Sequence, residues 1–167
     1  MASVDNVDQL IEQYQLALDE FMKGNPKPAK QLWSRRDDVT LVNLLGSPAR
    51  GWEQVAQTQQ HAALNIRDGE IASFDVISKL VTPELAYVVW IEWQKAKMGA
   101  RQDVTPFALR VTMIFRPEEE DGTWKLVHRH ADLITTPQAA SAARMFSARG
   151  CARPADARTL LTPSSHL

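Results

Sequence analysis

His128, His130 and Asp132 stand at alternate positions, so in an extended chain they share one side, ~6.5–7 Å apart per step. Imidazoles at that spacing can share a metal ion with a third ligand. The competing reading is a pair of histidines hydrogen-bonded at an interface. Arg110 lies in the middle of another extended run, Thr105–Phe115. A guanidinium at the centre of an inward-facing strand is costly without an anionic partner. Arg110 is therefore expected either to hold a ligand's acid or carbonyl group or to make a structural ion pair, with Glu92 the obvious partner. Groups able to move a proton are few: Tyr14, Glu92 and His61. There is no Gly-rich phosphate loop, no Cys/His zinc spacing and no G-x-S-x-G, which removes the chemistries those motifs carry.

The elements that must position these groups follow from periodicity. Val7, Leu10, Ile11, Tyr14, Leu18 and Phe21 recur at three- and four-residue steps, the stripe of an amphipathic helix. Asp5 or Asn6 is expected to cap it, and Gly24 with Pro26 to end it. Asn25-Pro26 opens a short second helix through Leu32 and Trp33. Val39 to Asn43 reads as a brief strand closed by Gly46-Ser47-Pro48. A third helix follows Gly51, with Trp52, Val55, Ala56, Ala63 and Ile66 on its buried side, and Asp68-Gly69 stops it. From Glu70 the period becomes two. Glu70–Val81, Leu85–Met98, Thr105–Phe115 and Thr123–Ile134 are four strands, the last two joined across an acidic turn ending in Asp121-Gly122. Helices followed by a long antiparallel sheet make an α+β domain with its helices on one face.

The sheet's other face is also apolar. On the strand Leu85–Met98, Tyr87, Val89, Ile91 and Trp93 point one way, and Ala86, Val88 and Trp90 the other. A single helical layer covers one side, so a second copy of the chain is expected on the other, as a C2 homodimer with sheets back to back. At 167 residues, 44% of them hydrophobic, the chain suits one domain with a complete core. Nineteen basic against twenty acidic residues give no field to draw nucleic acid or an anionic membrane. No stretch approaches the ~20 apolar residues of a membrane span. One cysteine, Cys151, and no charged-then-apolar leader point to the cytoplasm. The domain is expected over residues 1–136. Residues 137–167, rich in alanine, arginine, serine and proline, read as a solvated tail, with a short helix over Gln138–Arg149 at most.

The order of elements, and above all R-V-T-M-I-F-R followed by D-G-T-W-K-L-V-H-R-H-A-D-L, resembles the NTF2-like superfamily in its SnoaL-like and ketosteroid-isomerase-like branch. The same motif is similar to that of the association domain of calcium/calmodulin-dependent kinases. The resemblance covers roughly Leu10 to Leu133. It implies a cone: a curved antiparallel sheet wrapped on three N-terminal helices, with a pocket at the open end. It also implies that Trp33 and Trp52 line the mouth, and that Tyr14 matches the first-helix tyrosine of the isomerase. The isomerase base falls on Val42 or Asn43, and its aspartate donor among Thr112, Met113 and Ile114. Neither functional group is present, which disfavours steroid-type isomerisation. Tyr14 is then an aromatic of the helix stripe with its hydroxyl at the pocket wall. Arg110 matches a pocket arginine of the association domains, whereas their other two fall on Val89 and Ala131.

A pocket with one arginine implies a ligand with a single acid or carbonyl and a hydrophobic body. Parity with Val89 and Ile91 puts Trp93 at that pocket. Arg129, on the side of Ala131, adds a second charge near the rim. If Arg129 and Ala131 face the cone, His128 and His130 face the partner sheet with Trp124 and Leu126, so no metal site is expected. The expected ligand-binding set is thus Arg110, Trp33, Tyr14, Trp52, Val89, Trp93 and Arg129, with no cofactor. Two functions follow: a small-molecule-binding protein, open to isomerase, lyase or cyclase chemistry, or a non-catalytic association module.

Overall fold

A computed structural model describes residues 4–135, Leu45 excepted. The tail expected over residues 137–167 lies outside the described residues. The chain runs α1 (Val4–Met22), α2 (Lys27–Gln31), β1 (Thr40–Val42), β2 (Ala49–Arg50), α3 (Trp52–Leu64), β3 (Ile66–Val81), β4 (Ala86–Met98), β5 (Thr105–Pro117) and β6 (Trp124–Leu133). All six strands form one curved, unclosed sheet in the order β2-β1-β6-β5-β4-β3. Every pairing is antiparallel except β1 with β6, which is parallel.

The helix stripe is buried as the spacing requires: Val7, Leu10, Tyr14, Ala17 and Leu18 all lie in the core. Against them pack β4 and β5. The alternation of β5 puts Leu109, Val111, Met113 and Phe115 inward, and the register sets Val88 opposite Met113 and Trp90 opposite Val111. Cross-strand partners share a face, so the inner face of β4 is Ala86, Val88, Trp90, Glu92, Gln94 and Ala96, all buried. Each large apolar side chain taken out of water there stabilises the fold by about 1.5–3 kcal/mol. Trp90 sits at the centre, its ring 6.1 Å from that of Tyr14 and 5.1 Å from that of Phe74.

Irregularities bend the sheet. Register shifts interrupt the β3–β4 ladder after Arg67, Ile71 and Val76. On β6, Val127 is an extra residue, because Ile114 faces His128 while Phe115 faces Leu126. Such bulges sharpen twist and curvature. The bulge at Val127 also switches parity: Trp124 and Leu126 point inward, and so do Arg129 and Ala131 three residues on. The expectation that Trp124 and Leu126 share the side of the histidines is therefore corrected.

Several boundaries differ from the sequence reading. The first helix begins at Val4, ahead of the caps expected at Asp5 and Asn6. Pro26 is the N-cap of α2 and Asn25 accepts from the Lys27 amide at 3.3 Å. Ile66 opens β3 rather than lying on α3, and Asp68-Gly69 lie inside that strand. The inner wall of α3 is Val55, Gln59 and Ala63, with Trp52 and Ala56 half-buried.

Candidate functional site

Between the helices and the inner sheet face lies a cavity of about 470 Å³. Its walls are mainly apolar: Leu18, Phe21 and Met22 of α1, Trp33 after α2, Leu41 of β1, and Phe107 and Leu109 of β5. Exposed Gly46, His61 and Gly99 mark the mouth. Deep inside, the lining turns polar with Tyr14, Glu92, Gln94 and Arg129, all buried.

These polar groups form one network around the Glu92 carboxylate. Glu92 accepts from Arg129 Nη2 at 2.9 Å, from Gln94 Nε2 at 3.0 Å and from Trp90 Nε1 at 3.1 Å. Arg129 Nη1 donates to Asn43 Oδ1 at 2.8 Å. Asn43 therefore spends its amide oxygen on the guanidinium. Arg129 and Glu92 neutralise one another, and their partners are Trp90 and Gln94 of β4 and Asn43, the residue just after β1. Burial opposes the Arg129 charge, but Tyr14 and Glu92 more than offset it, so the guanidinium is held above its ordinary value. Burial pushes the Tyr14 phenol up, well beyond its ordinary value, although Arg129 pulls the other way. Tyr14 is thus a neutral hydroxyl. Two N–H groups of the lining, Arg129 Nε and Gln59 Nε2, are buried without an acceptor.

The arginine of this site is Arg129, not Arg110. Arg110 lies on the outer face, its side chain 64% exposed, and pairs with Asp132 through two bonds of 3.2 and 2.6 Å. Its position follows from the alternation that sends Leu109 and Val111 inward. Glu92, expected as its structural partner, faces the opposite way and holds Arg129. Val89 and Trp93 are corrected for the same reason. Val89 is half-buried on the outer face, and Trp93, 43% exposed, donates to Asp75 at 2.6 Å. Trp52 does not line the cavity; its ring lies under Arg35, 4.2 Å from the guanidinium carbon. Tyr14, Trp33 and Arg129 do line it.

Gln94 and Gln59 are lining residues that sequence reasoning did not name, whereas Glu92 was weighed only as a proton-moving group and as a partner of Arg110, and Asn43 only as a position lacking a base. One signal was legible: Glu92 and Gln94 continue the alternation of Val88 and Trp90, the face that pairs with the apolar side of β5. On the outer face, His128 Nδ1 lies 2.7 Å from Thr40 Oγ1. Burial, with His130 nearby, holds the His128 imidazole below its ordinary value. Among the described residues, no group of three or more His, Cys, Asp or Glu could hold a metal ion, and no helix is long and apolar enough to cross a membrane.

The architecture is shared with known structures. A ketosteroid isomerase-like protein from Erwinia carotovora superposes with a TM-score of 0.66 at 15% identity, covering 80% of this chain and 97% of the other. A proposed dehydratase of the NTF2-like family from Streptomyces avermitilis gives 0.65 at 19% identity, covering 80% and 96%. A proposed calcium/calmodulin-dependent protein kinase type II association domain from Thiobacillus denitrificans gives 0.59 at 16% identity, covering 77% and 94%. At these identities the likeness carries the fold alone. No curated protein sequence matches the chain. The sequence model of the SnoaL-like domain matches residues 7–135, nearly the whole of the described chain. The cone, its six-stranded sheet and that match have one reading: the chain belongs to the SnoaL-like domain family, on an NTF2-like fold.

Proposed function

We propose that the cavity binds a small, largely apolar, uncharged molecule through one carbonyl or hydroxyl oxygen at the polar floor. The observation that carries this reading is the buried Arg129–Glu92 pair at the end of an apolar cavity. A lone arginine would suit a carboxylate. Here Glu92 already balances the charge, and a carboxylate would bring an uncompensated anion into an apolar space. A neutral acceptor adds no charge and takes hydrogen bonds from the floor. The volume lies within the range of small-molecule sites. Chemically, the floor can polarise a carbonyl from Tyr14 and Arg129. It offers a poor base, since three donors occupy the oxygens of Glu92. Binding is therefore the better-supported reading, ahead of isomerase, lyase or cyclase chemistry.

Trp33 in the lining and Trp90 behind it report occupancy by fluorescence. A medium-length ketone is expected to quench or shift their emission saturably, more tightly than the matching hydrocarbon or carboxylate. Ala62→Trp, which fills part of the cavity, is expected to weaken the response. Silence toward all three probes, or tightest binding by the carboxylate, overturns the proposal.

The association reading is favoured by a separate observation. On the outer face Tyr87, Val89, Ile91 and Ile114 are only half-buried, and Trp93 is more exposed still. We propose that a second copy of the chain packs there, sheet to sheet, compatibly with a ligand in the cavity on the other side.

A further inference from the structure

Besides balancing charge, the Arg129–Glu92 pair fixes which way two cavity amides face. The Glu92 carboxylate only accepts, so the Gln94 amide must turn its NH2 toward it, in the 3.0 Å bond from Nε2. The Arg129 guanidinium only donates, so Asn43 must turn its oxygen to Nη1, at 2.8 Å. Reversing either amide would set acceptor against anion or donor against cation. The far ends are thereby decided: an oxygen, Gln94 Oε1, and an NH2, Asn43 Nδ2. Neither is bonded to a described residue. Among the described residues, the fully enclosed side-chain polar atoms without a partner are Ser34 Oγ, Gln59 Nε2, Trp124 Nε1 and Arg129 Nε. Gln94 Oε1 and Asn43 Nδ2 are not among them, so both are unbonded yet reachable. Both residues line the cavity. Gln94 is only 5% exposed, so the little surface it keeps is at the cavity. Its oxygen is an acceptor waiting for a donor.

We propose that the polar group of the ligand is a hydroxyl, which donates its hydrogen to Gln94 Oε1 while its own oxygen accepts from the donors of the floor. This rests on the binding reading above and narrows it, from any neutral oxygen to one that carries a hydrogen. Gln94 is then a specificity residue, oriented by the charge of Glu92, that selects alcohols over ketones, ethers and esters. A group without a hydrogen strips the Gln94 oxygen of water and returns no bond. An alcohol loses more hydration on entry than a ketone does, and the Gln94 acceptor is what offsets that loss.

The test is calorimetric, on the full chain, with two probes: an open-chain ketone and the secondary alcohol of the same skeleton. The native protein is expected to bind the alcohol about threefold to tenfold more tightly than the ketone. Gln94→Met keeps an unbranched side chain of similar length and removes the acceptor, while Glu92 keeps its bonds from Arg129 and Trp90. A melting curve checks that the variant folds, and in it the alcohol is expected to lose its advantage over the ketone. A native protein that binds the ketone as tightly as the alcohol, or more tightly, overturns this inference and leaves the binding proposal standing. That comparison decides by itself if the variant does not fold. An alcohol preference that persists in folded Gln94→Met overturns the role of Gln94. Silence toward both probes overturns this inference and the binding proposal together.

Discussion

Two arginines of this chain look alike in sequence and differ by their surroundings. Arg129 is buried beside Glu92 at 2.9 Å, whereas Arg110 stands 64% exposed beside Asp132 at 2.6 Å. The shorter bond is the weaker contributor, because solvent screens it. Arg110→Ala is expected to change stability by no more than about 0.5 kcal/mol. Arg129→Met leaves an unpaired carboxylate in the core and should cost about 3–5 kcal/mol. Replacing both partners, as Arg129→Met with Glu92→Leu, should recover most of that loss. Urea midpoints of the four proteins check all three statements, and equal losses for Arg110→Ala and Arg129→Met would contradict them. His128 supplies a pH prediction. Burial lowers its folded pKa below the ordinary 6.5, so the unfolded chain binds the proton first. Its share of stability is complete above about pH 6.5 and is lost as pH falls from there through the lower folded value. His128 Nδ1 and the Thr40 hydroxyl share a hydrogen bond of 2.7 Å, and protonation leaves Nδ1 only a donor there. Melting temperatures followed downward from pH 7 should fall less steeply for His128→Gln than for the native chain.

At the scale of elements, two local irregularities decide where the side chains point. The extra residue Val127 turns β6 over between Leu126 and Arg129. Without it, the strand that buries Trp124 and Leu126 would send Arg129 outward. Gly69 is the other. It packs so close to the end of α1 that an added Cβ would sit 2.6 Å from the Met22 carbonyl oxygen and 2.9 Å from the Met22 Cβ. Backbone does not yield cheaply at that distance, and Asp68 just before it holds a positive φ of 51°. Gly69→Ala is therefore expected to destabilise the fold by about 1–3 kcal/mol, read as a lowered thermal midpoint. Gly122→Ala, with no atom within 4 Å of its added Cβ but a φ of 70°, carries only the backbone cost, about 1 kcal/mol. Were Gly69→Ala the milder of the two, the close approach of β3 to α1 would not be a constraint.

For the whole molecule, the sheet divides two tasks: its inner face and the helices enclose the cavity, while its outer face carries an apolar band. Ile91 lies near the middle of that band, beside Arg110 across the β4–β5 ladder. Ile91→Glu is expected to convert a dimer to a monomer in sedimentation velocity while leaving the ketone response of the cavity intact. A native chain that sediments as a monomer at micromolar concentration would refute the sheet-to-sheet pairing.

Periodicity alone determined the α+β class, three helices, the long strands and the stripe that puts Tyr14 inside, because each of these is local: a helix face or a strand face is set by spacing along the chain. The alternation of Leu109, Val111, Met113 and Phe115 even carried the placement of Arg110 opposite the core, and the motif resemblance drew it inward against that pattern. What only tertiary structure decided is which apolar side of β4 faces the helices. Tyr87, Val89, Ile91 and Trp93 make the greasier row, yet register against β5 buries the row that ends in Glu92 and Gln94. That choice is made by pairing between strands and by a bulge at Val127, and the buried charge pair forms only once β4 and β6 bring Glu92 and Arg129 across the intervening strand. Contacts of that kind depend on distances between segments far apart in the chain, which no single stretch of sequence encodes.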